Sequence, residues 1–266
     1  MTARAQAPDI ARLLFRDVGG LHRAVVETTE AGRVAGLGFV DPALAPAAAG
    51  SWRVLADEGA KVEPGMALVE IIGKAHELGV AEDYVLGPIG FASGIATRAA
   101  AFREAAPDGL SLACGGWKKL PAALKPILRA GLAAAGLLPR LVEGDFVYMS
   151  KNAVTLLGGV AAAIASGLKV GHGPVAVQVK SVDEAMFAYG AGGRIIMVDT
   201  GVIADLAAVH RALVDAGQRN DVHLAFGGGV RLEDLAGVRE AGANAADIGR
   251  AILDAPLLDL RLRVIS

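Results

Sequence analysis

Two adjacent lysines, Lys118 and Lys119, follow the run LSLACGGW, with Trp117 directly before them. A lysine pair usually faces water, its aliphatic stems lying along the surface. Here the run ahead reads as a buried strand, so the pair stands where a strand hands the chain to a loop. Comparable ends recur downstream: Ser150, Lys151 and Asn152; Gln178 and Lys180; Asp199 and Thr200; Gly227, Gly228 and Gly229; Gly249 and Arg250. Glycines ahead of a helix leave backbone N–H groups open to an anion. Lys118, Lys151, Lys180 and Arg250 add positive charge. Asp199 suits ribose hydroxyls or a Mg²⁺ ion. Singly, each has a plainer reading: a glycine triplet is a turn, a strand-end lysine is solvated, and Asp199 caps the next helix. Their coincidence at the same end of successive strands points to a site for a phosphorylated ligand.

The elements that must position these groups alternate from residue 110 onward. LSLAC, FVYMS, VAVQV, RIIMV, VHLAF and AADIG are short apolar runs, each followed by a helical pattern. Continuous apolar strands suit a parallel sheet covered on both faces, and repeated βα units mean a barrel or a doubly wound sheet. Six strands are clear and residues 140–142 offer a seventh, so an open, incomplete α/β barrel is expected. In a barrel, the site lies at the C-terminal strand ends. The N-terminal third differs: residues 23–40, SWRVLADEG and MALVEIIG are β-rich runs, with a Pro-Gly turn in KVEPGMAL. Residues 59–68 also fit a biotinyl- or lipoyl-module spacing, but those modules need an exposed lysine on a hairpin and none is well placed here. Residues 80–106 read as a helix joining two domains, with Pro88 as a kink or break.

The chain of 266 residues is 53% hydrophobic and 20% charged, enough to bury a sizeable core. A net charge of −2 gives no reason to expect nucleic acid or an anionic membrane as partner. One cysteine, Cys114, excludes an internal disulfide framework. The first residues are polar and lack the apolar segment of a signal peptide. The longest apolar stretch, residues 152–168, is short for a membrane span of about 20 residues and reads as one buried helix. The cytoplasm is the default location.

The order of these pieces resembles the quinolinate phosphoribosyltransferase (nicotinate-nucleotide pyrophosphorylase, carboxylating) family. FASGIATRAAAF is similar to the family's SGIAT helix, FVYMSKNAV to its strand ending in IKDNH, and VQVKSVDEA to its VEVENLEEA. RIIMVDT is similar to IIMLDN. AFGGGV, ADIGRA and LDLRLRV are similar to the closing SGGI, VGALTHS and LDISLRI segments. The resemblance implies an N-terminal α/β sandwich with its linking helix over residues 1–106, to which 256–266 return, and an open barrel over 107–255. It implies a homodimer with composite sites. The family's enzymes take phosphoribosyl pyrophosphate with Mg²⁺ and join its ribose to a pyridine nitrogen, with decarboxylation following. By position, Lys118 matches the lysine of the RKT motif, Lys151 the second strand's lysine, and Asp199 the acidic residue near the ribose. Gly228, Gly229 and Gly249 match the phosphate-binding edges, beside Gly227 and Arg250.

The departures fall on the other half of the site. The arginine before the RKT lysine is Trp117 here, and the helix arginine of ERTALN is Asp83. NHR is absent, with Arg140 nearby after a one-residue shift. A VEVE glutamate becomes Gln178 or Lys180, and the histidine after KDN is replaced. Bidentate arginine recognition of carboxylates cannot be replaced by Trp or Asp, and Asp83 would repel a dicarboxylate. The expectation is therefore phosphoribosyl transfer to an aromatic or heterocyclic acceptor other than quinolinate, held by Trp117, Asp83, Arg140 and Gln178. Lys118, Lys151 and Asp199 would do the chemistry, and Lys119 would be left to solvent. Transfer to quinolinate itself, a non-catalytic phosphometabolite-binding relative and a sugar-phosphate aldolase with an imine-forming lysine are the alternatives.

Overall fold

In the computed structural model, which describes residues 10–40 and 50–265, strands and helices follow in two runs. The strands are β1 (His22–Thr28), β2 (Gly32–Arg33), β3 (Ser51–Val54), β4 (Lys61–Val62), β5 (Ala67–Gly73), β6 (Ser111–Ala113), β7 (Val147–Met149), β8 (Val175–Val179), β9 (Ile195–Asp199), β10 (His223–Gly227), β11 (Ala245–Asp247) and β12 (Leu260–Ile265). The helices are α1 (Ile10–Leu14), α2 (Ala75–Ala105), α3 (Lys125–Ala134), α4 (Lys151–Leu156), α5 (Val160–Val170), α6 (Val182–Gly190), α7 (Ile203–Asp215), α8 (Leu235–Glu240) and α9 (Arg250–Leu253). Among the described residues, one compact unit holds those up to Thr97, 126–135 and those from Pro256; the other holds 98–125 and 136–255. Residues 1–9, on which the reading of no signal peptide rests, lie outside the described residues.

The first unit is built on an antiparallel sheet ordered β12-β1-β5-β3, with β2 and β4 paired beside it. Leu78, Ala81, Val85 and Ile89 recur at helical spacing on α2 and form one core with Ala24, Val26, Leu68, Val69 and Ile71 of the sheet. The SGIAT segment owes its composition to this packing. Ser93, fully buried, accepts from the Ala35 amide at 2.9 Å and donates to the Ala35 carbonyl at 3.2 Å. Thr97 Oγ1 accepts from the Arg33 amide at 2.8 Å, while Gly90 and Gly94 let residues 256–258 lie against the helix. Pro88 does not break α2 as expected, because its neighbours Val85 and Ile89 are held in the core on one continuous helical face. This helix has the length and apolarity of a membrane span, yet 56% of its most apolar window is buried within the protein, as in a core helix.

The other face of the sheet carries a paired charge stripe. Glu27, its side chain 3% exposed, lies between Arg261 and Arg263 of β12 at 2.6 and 2.8 Å. Glu70 lies between Arg23 and Arg53 at 2.6 and 2.9 Å. The guanidinium groups bond the buried carboxylates while the arginine side chains stay half-exposed or more. Hydrogen bonds from Arg263 and then Arg261 hold the Glu27 carboxyl down at about 2. A depressed carboxyl stabilises the fold above its unfolded value and loses that contribution as pH falls through the folded one. Melting temperature should therefore drop as pH falls from about 4.5 through about 2. Glu27→Gln should be less stable than wild type at pH 7 and flatter over that acid range, checked by thermal melts from neutral to acid pH. An acid limb equally steep in the variant would overturn the assignment.

The second unit is an open α/β barrel: a six-stranded parallel sheet ordered β6-β11-β10-β9-β8-β7 with helices between the strands. The expected seventh strand at residues 140–142 is absent; a single parallel bridge joins Leu138 to Ala113 instead. Pro139 follows at once and has no N–H to continue a ladder. The stretch 152–168 is likewise not one helix. Gly158 and Gly159, at φ 84° and 123°, separate α4 from α5 and leave Leu156 86% exposed. The helix expected within the barrel up to residue 135 is α3, and from Pro126 its residues belong to the first unit, where Gly131 packs on Ala92 and Ile95. Side chains at alternate strand positions (Ala113, Ala176, Ile195, Met197, Ala225 and Ala245) form a small inner core with Leu141 and Phe146.

Candidate active site

The same two-residue period carries inward-facing side chains up to the C-terminal strand ends. There they line a cavity of about 330 Å³ whose walls include Gly115, Trp117, Lys118, Arg140, Phe146, Tyr148, Gln178, Met197, Asp199, Gly228, Gly229, Asp247, Gly249 and Arg250. That volume is at the small end of the range for small-molecule sites. All these residues come from the barrel unit.

Lys151, Gln178 and Asp199 form one closed network. Ser150 caps α4 by accepting from the Ala153 amide, which sets Lys151 at the first helical position. The Lys151 amide donates to Gln178 Oε1 at 3.0 Å, and Gln178 Nε2 donates to Asp199 Oδ2 at 2.8 Å. Lys151 Nζ reaches the same Oδ2 at 2.7 Å and the Asp199 carbonyl at 3.0 Å. Lys151 therefore holds Asp199 in place and is not among the cavity-lining residues, and the Gln178 amide is bonded at both ends.

Lys118 and Lys119 both line the cavity. Lys119, left to solvent in the sequence reading, thus stands beside its neighbour. Lys118 Nζ lies 4.4 Å from the centre of the Tyr148 ring, Lys125 Nζ lies 5.1 Å from the Trp117 ring, and the Arg140 guanidinium lies 4.0 Å from the Phe146 ring. Arg140 also donates to the Phe146 carbonyl at 3.2 Å. Cations and aromatic faces are thus paired along the wall. Burial, with the charges of Asp247 and Asp199 behind it, pushes the Tyr148 hydroxyl up. Arg250 is 81% exposed and paired with Asp254 at 2.7 Å. Lys180 is exposed outside the cavity, its amide bonded to Glu184. Asp83 belongs to the first unit, exposed on α2, and is not among the cavity-lining residues.

The glycine edges open on the same cavity. Gly228 has φ 107°, and a Cβ there would overlap the Gly201 amide, so two backbone loops approach directly. Among the described residues, the amides of Gly228, Gly229, Val230 and Gly249 have no backbone hydrogen-bond partner. Gly227 lies just below them, its own carbonyl taken by the Gly201 amide at 3.0 Å. These amides line the same cavity as Lys118, Lys119 and Arg250, a set of donors and positive charge that suits an anion.

The sequence reading missed Asp247, because it placed that strand's end at Gly249 and Arg250. Counting by twos from Ala245 would have found it. The Gly115 amide donates to Asp247 Oδ1. Burial, and then the charge of Asp199, raises the Asp247 carboxyl above its ordinary value against the pull of that amide, Lys118 and Lys119.

Comparison with known proteins agrees with this architecture. The family model for the quinolinate phosphoribosyl transferase C-terminal domain matches residues 95–263. Nicotinate-nucleotide pyrophosphorylase (carboxylating) of Rattus norvegicus is 28% identical over 218 residues, 80% of this chain and 72% of the relative. The Homo sapiens protein of the same name is 28% identical over 213 residues, covering 79% and 71%. The nicotinate-nucleotide pyrophosphorylase structure from Francisella tularensis superposes with a TM-score of 0.79 at 20% identity, over 98% of each chain. With a family match running from the end of α2 through the whole barrel to β12, the chain belongs to the quinolinate phosphoribosyltransferase family.

Proposed function

We propose that this chain transfers phosphoribosyl from phosphoribosyl pyrophosphate to an aromatic or heterocyclic acceptor other than quinolinate. The observation that carries the reading is the convergence of unpartnered amides at Gly228, Gly229 and Gly249 with Lys118, Lys119 and Arg250 on one cavity, opposite no acidic group but Asp199 and Asp247. Such a rim suits the phosphate and diphosphate of the donor. Lys118 meets the leaving diphosphate. Asp199, fixed by Lys151 and Gln178, faces the sugar as positive charge develops at its anomeric carbon. Catalysis then comes from positioning and charge, with no side-chain nucleophile. Trp117 and Tyr148, half-buried on the same wall, are the aromatic side chains beside which a flat ring would lie.

Among the described residues no group of three or more His, Cys, Asp or Glu converges. One oxygen of Asp199 already takes Lys151 and Gln178. This donor set fits a Mg²⁺ ion that shares its ligands with a diphosphate, with Asp199 as the protein's contribution, and not one held by protein alone. When bound, the ion supplies charge that offsets the diphosphate. A homodimer that brings Asp83 of one copy to the other's cavity is part of the same reading.

Lys118→Ala should weaken binding of phosphoribosyl pyrophosphate by about tenfold or more, the value of one charge-assisted contact. Calorimetry checks it; no binding by the wild type, or equal binding by the variant, would sink the reading. Transfer to quinolinate is the second reading, favoured by Arg140 on the cavity wall and by the relatives' names. A direct assay with quinolinate and phosphoribosyl pyrophosphate decides between them.

A further inference from the structure

Asp247 is the acidic side chain of the cavity that the transfer reading leaves without a task. It occupies the inward position at the end of β11, and the neighbouring strand ends are cut back around it. A Cβ on Gly115 would stand 2.5 Å from Asp247 Oδ2, and one on Gly227 would stand 3.6 Å from Asp247 Cβ. Among the described residues its carboxylate takes one hydrogen bond, from the Gly115 amide to Oδ1, and no ion pair. Lys118, one of the two lysines on the same wall, lies over the Tyr148 ring. Asp199 differs, since it has Lys151 as an ion-pair partner and a donor in Gln178.

A carboxylate can accept about four hydrogen bonds. A partly buried one with a single donor has lost hydration without full replacement. The missing donors must come from what fills the cavity. A carboxylate on the ligand cannot supply them, because like charges there repel.

We propose that Asp247 is a specificity-determining residue that accepts a hydrogen bond from an N–H group of the ring acceptor. The acceptor is then a heterocycle bearing an amino, amide or ring N–H group where a dicarboxylate ring would carry a second carboxylate. This rests on the reading of the cavity as the site of transfer to a ring. A remaining anionic substituent has Arg140, Lys118 and Lys119 to meet on the same wall.

The test uses a matched pair of probes, 2-aminopyridine-3-carboxylate and pyridine-2,3-dicarboxylate, titrated calorimetrically without divalent cation or diphosphate. Wild type should bind the amino ring about tenfold or more tightly than the dicarboxylate, and Asp247→Asn and Asp247→Ser should each cut that ratio by about tenfold. Asn keeps an acceptor for the Gly115 amide, so its melting temperature controls for folding. Equal affinities in the wild type, binding of neither ring, or an unchanged ratio in the variants overturns the proposal. So does a variant that loses phosphoribosyl pyrophosphate instead of ring selectivity, since Asp247 would then serve the sugar. If the wild type shows the ring preference and the variants lose it while phosphoribosyl pyrophosphate never binds, the donor reading falls and this one stands.

Discussion

Gly94→Ala should destabilise the protein by about 3 kcal/mol, the upper end of what overpacking a tight contact costs. For a chain of this size that corresponds to a fall in melting temperature on the order of 10 °C. A Cβ at this position of α2 would overlap the carbonyl oxygen of Pro256 and stand 3.0 Å from Leu257 Cα. Both are backbone atoms, which cannot swing aside as a side-chain tip can. Helix propensity works the other way, since alanine in a helix interior is favoured over glycine by about 1 kcal/mol. The overlap outweighs that gain. Gly87 on the same helix is the control: it is exposed, and a Cβ there meets nothing within 4 Å. Gly87→Ala should therefore raise stability by about 0.5–1 kcal/mol. Thermal or denaturant melts of the two variants settle the point. A Gly94→Ala protein as stable as Gly87→Ala would mean that residues 256–258 do not lie on α2 in solution.

The largest effect on turnover is expected at Asp199. Asp199→Ala should lower kcat by about 10²–10³-fold, in the range seen when one preorganised electrostatic partner of a transition state is removed. Lys151→Ala should lower it by about tenfold or more, because Asp199 would keep Gln178 and lose its ion pair. The double variant should be no worse than Asp199→Ala alone, since the lysine acts through the carboxylate. The readout is pyrophosphate release from phosphoribosyl pyrophosphate with the ring acceptor that binds tightest in calorimetry. An interaction made in the transition state lowers kcat and kcat/KM together, whereas one used only to bind the donor raises KM. Turnover within about twofold of wild type in Asp199→Ala would remove this mechanism.

The barrel strands were legible to within two residues, the largest overrun being at the end of β11. VAVQV is β8 as it stands, and RIIMV and VHLAF are offset by one from β9 and β10. A buried parallel strand must be apolar on both faces, so its signal is local and strong. Errors fall where distant packing decides. The run 152–168 is apolar enough for one helix, but its glycine pair turns the chain and places α4 where Lys151 can reach across to β9. Residues 126–135 keep their helical pattern, yet belong to the unit that supplies Ala92 and Ile95. Asp247 was legible in principle, since strand parity points it inward with Asp199 and Gln178.

Local pattern in this chain determined which segments become strands, which glycines stand at the strand ends, and which end of the sheet carries the polar groups. These are properties of a few consecutive residues and of the two-residue period. The tertiary structure alone decided partnership. Lys151 and Asp199, 48 residues apart, neutralise one another, whereas among the described residues Asp247 takes only a backbone amide, from Gly115, 132 residues away. Charge interactions depend on the distance between side-chain tips and on how much water lies between them, and only the closing of the parallel sheet sets either quantity.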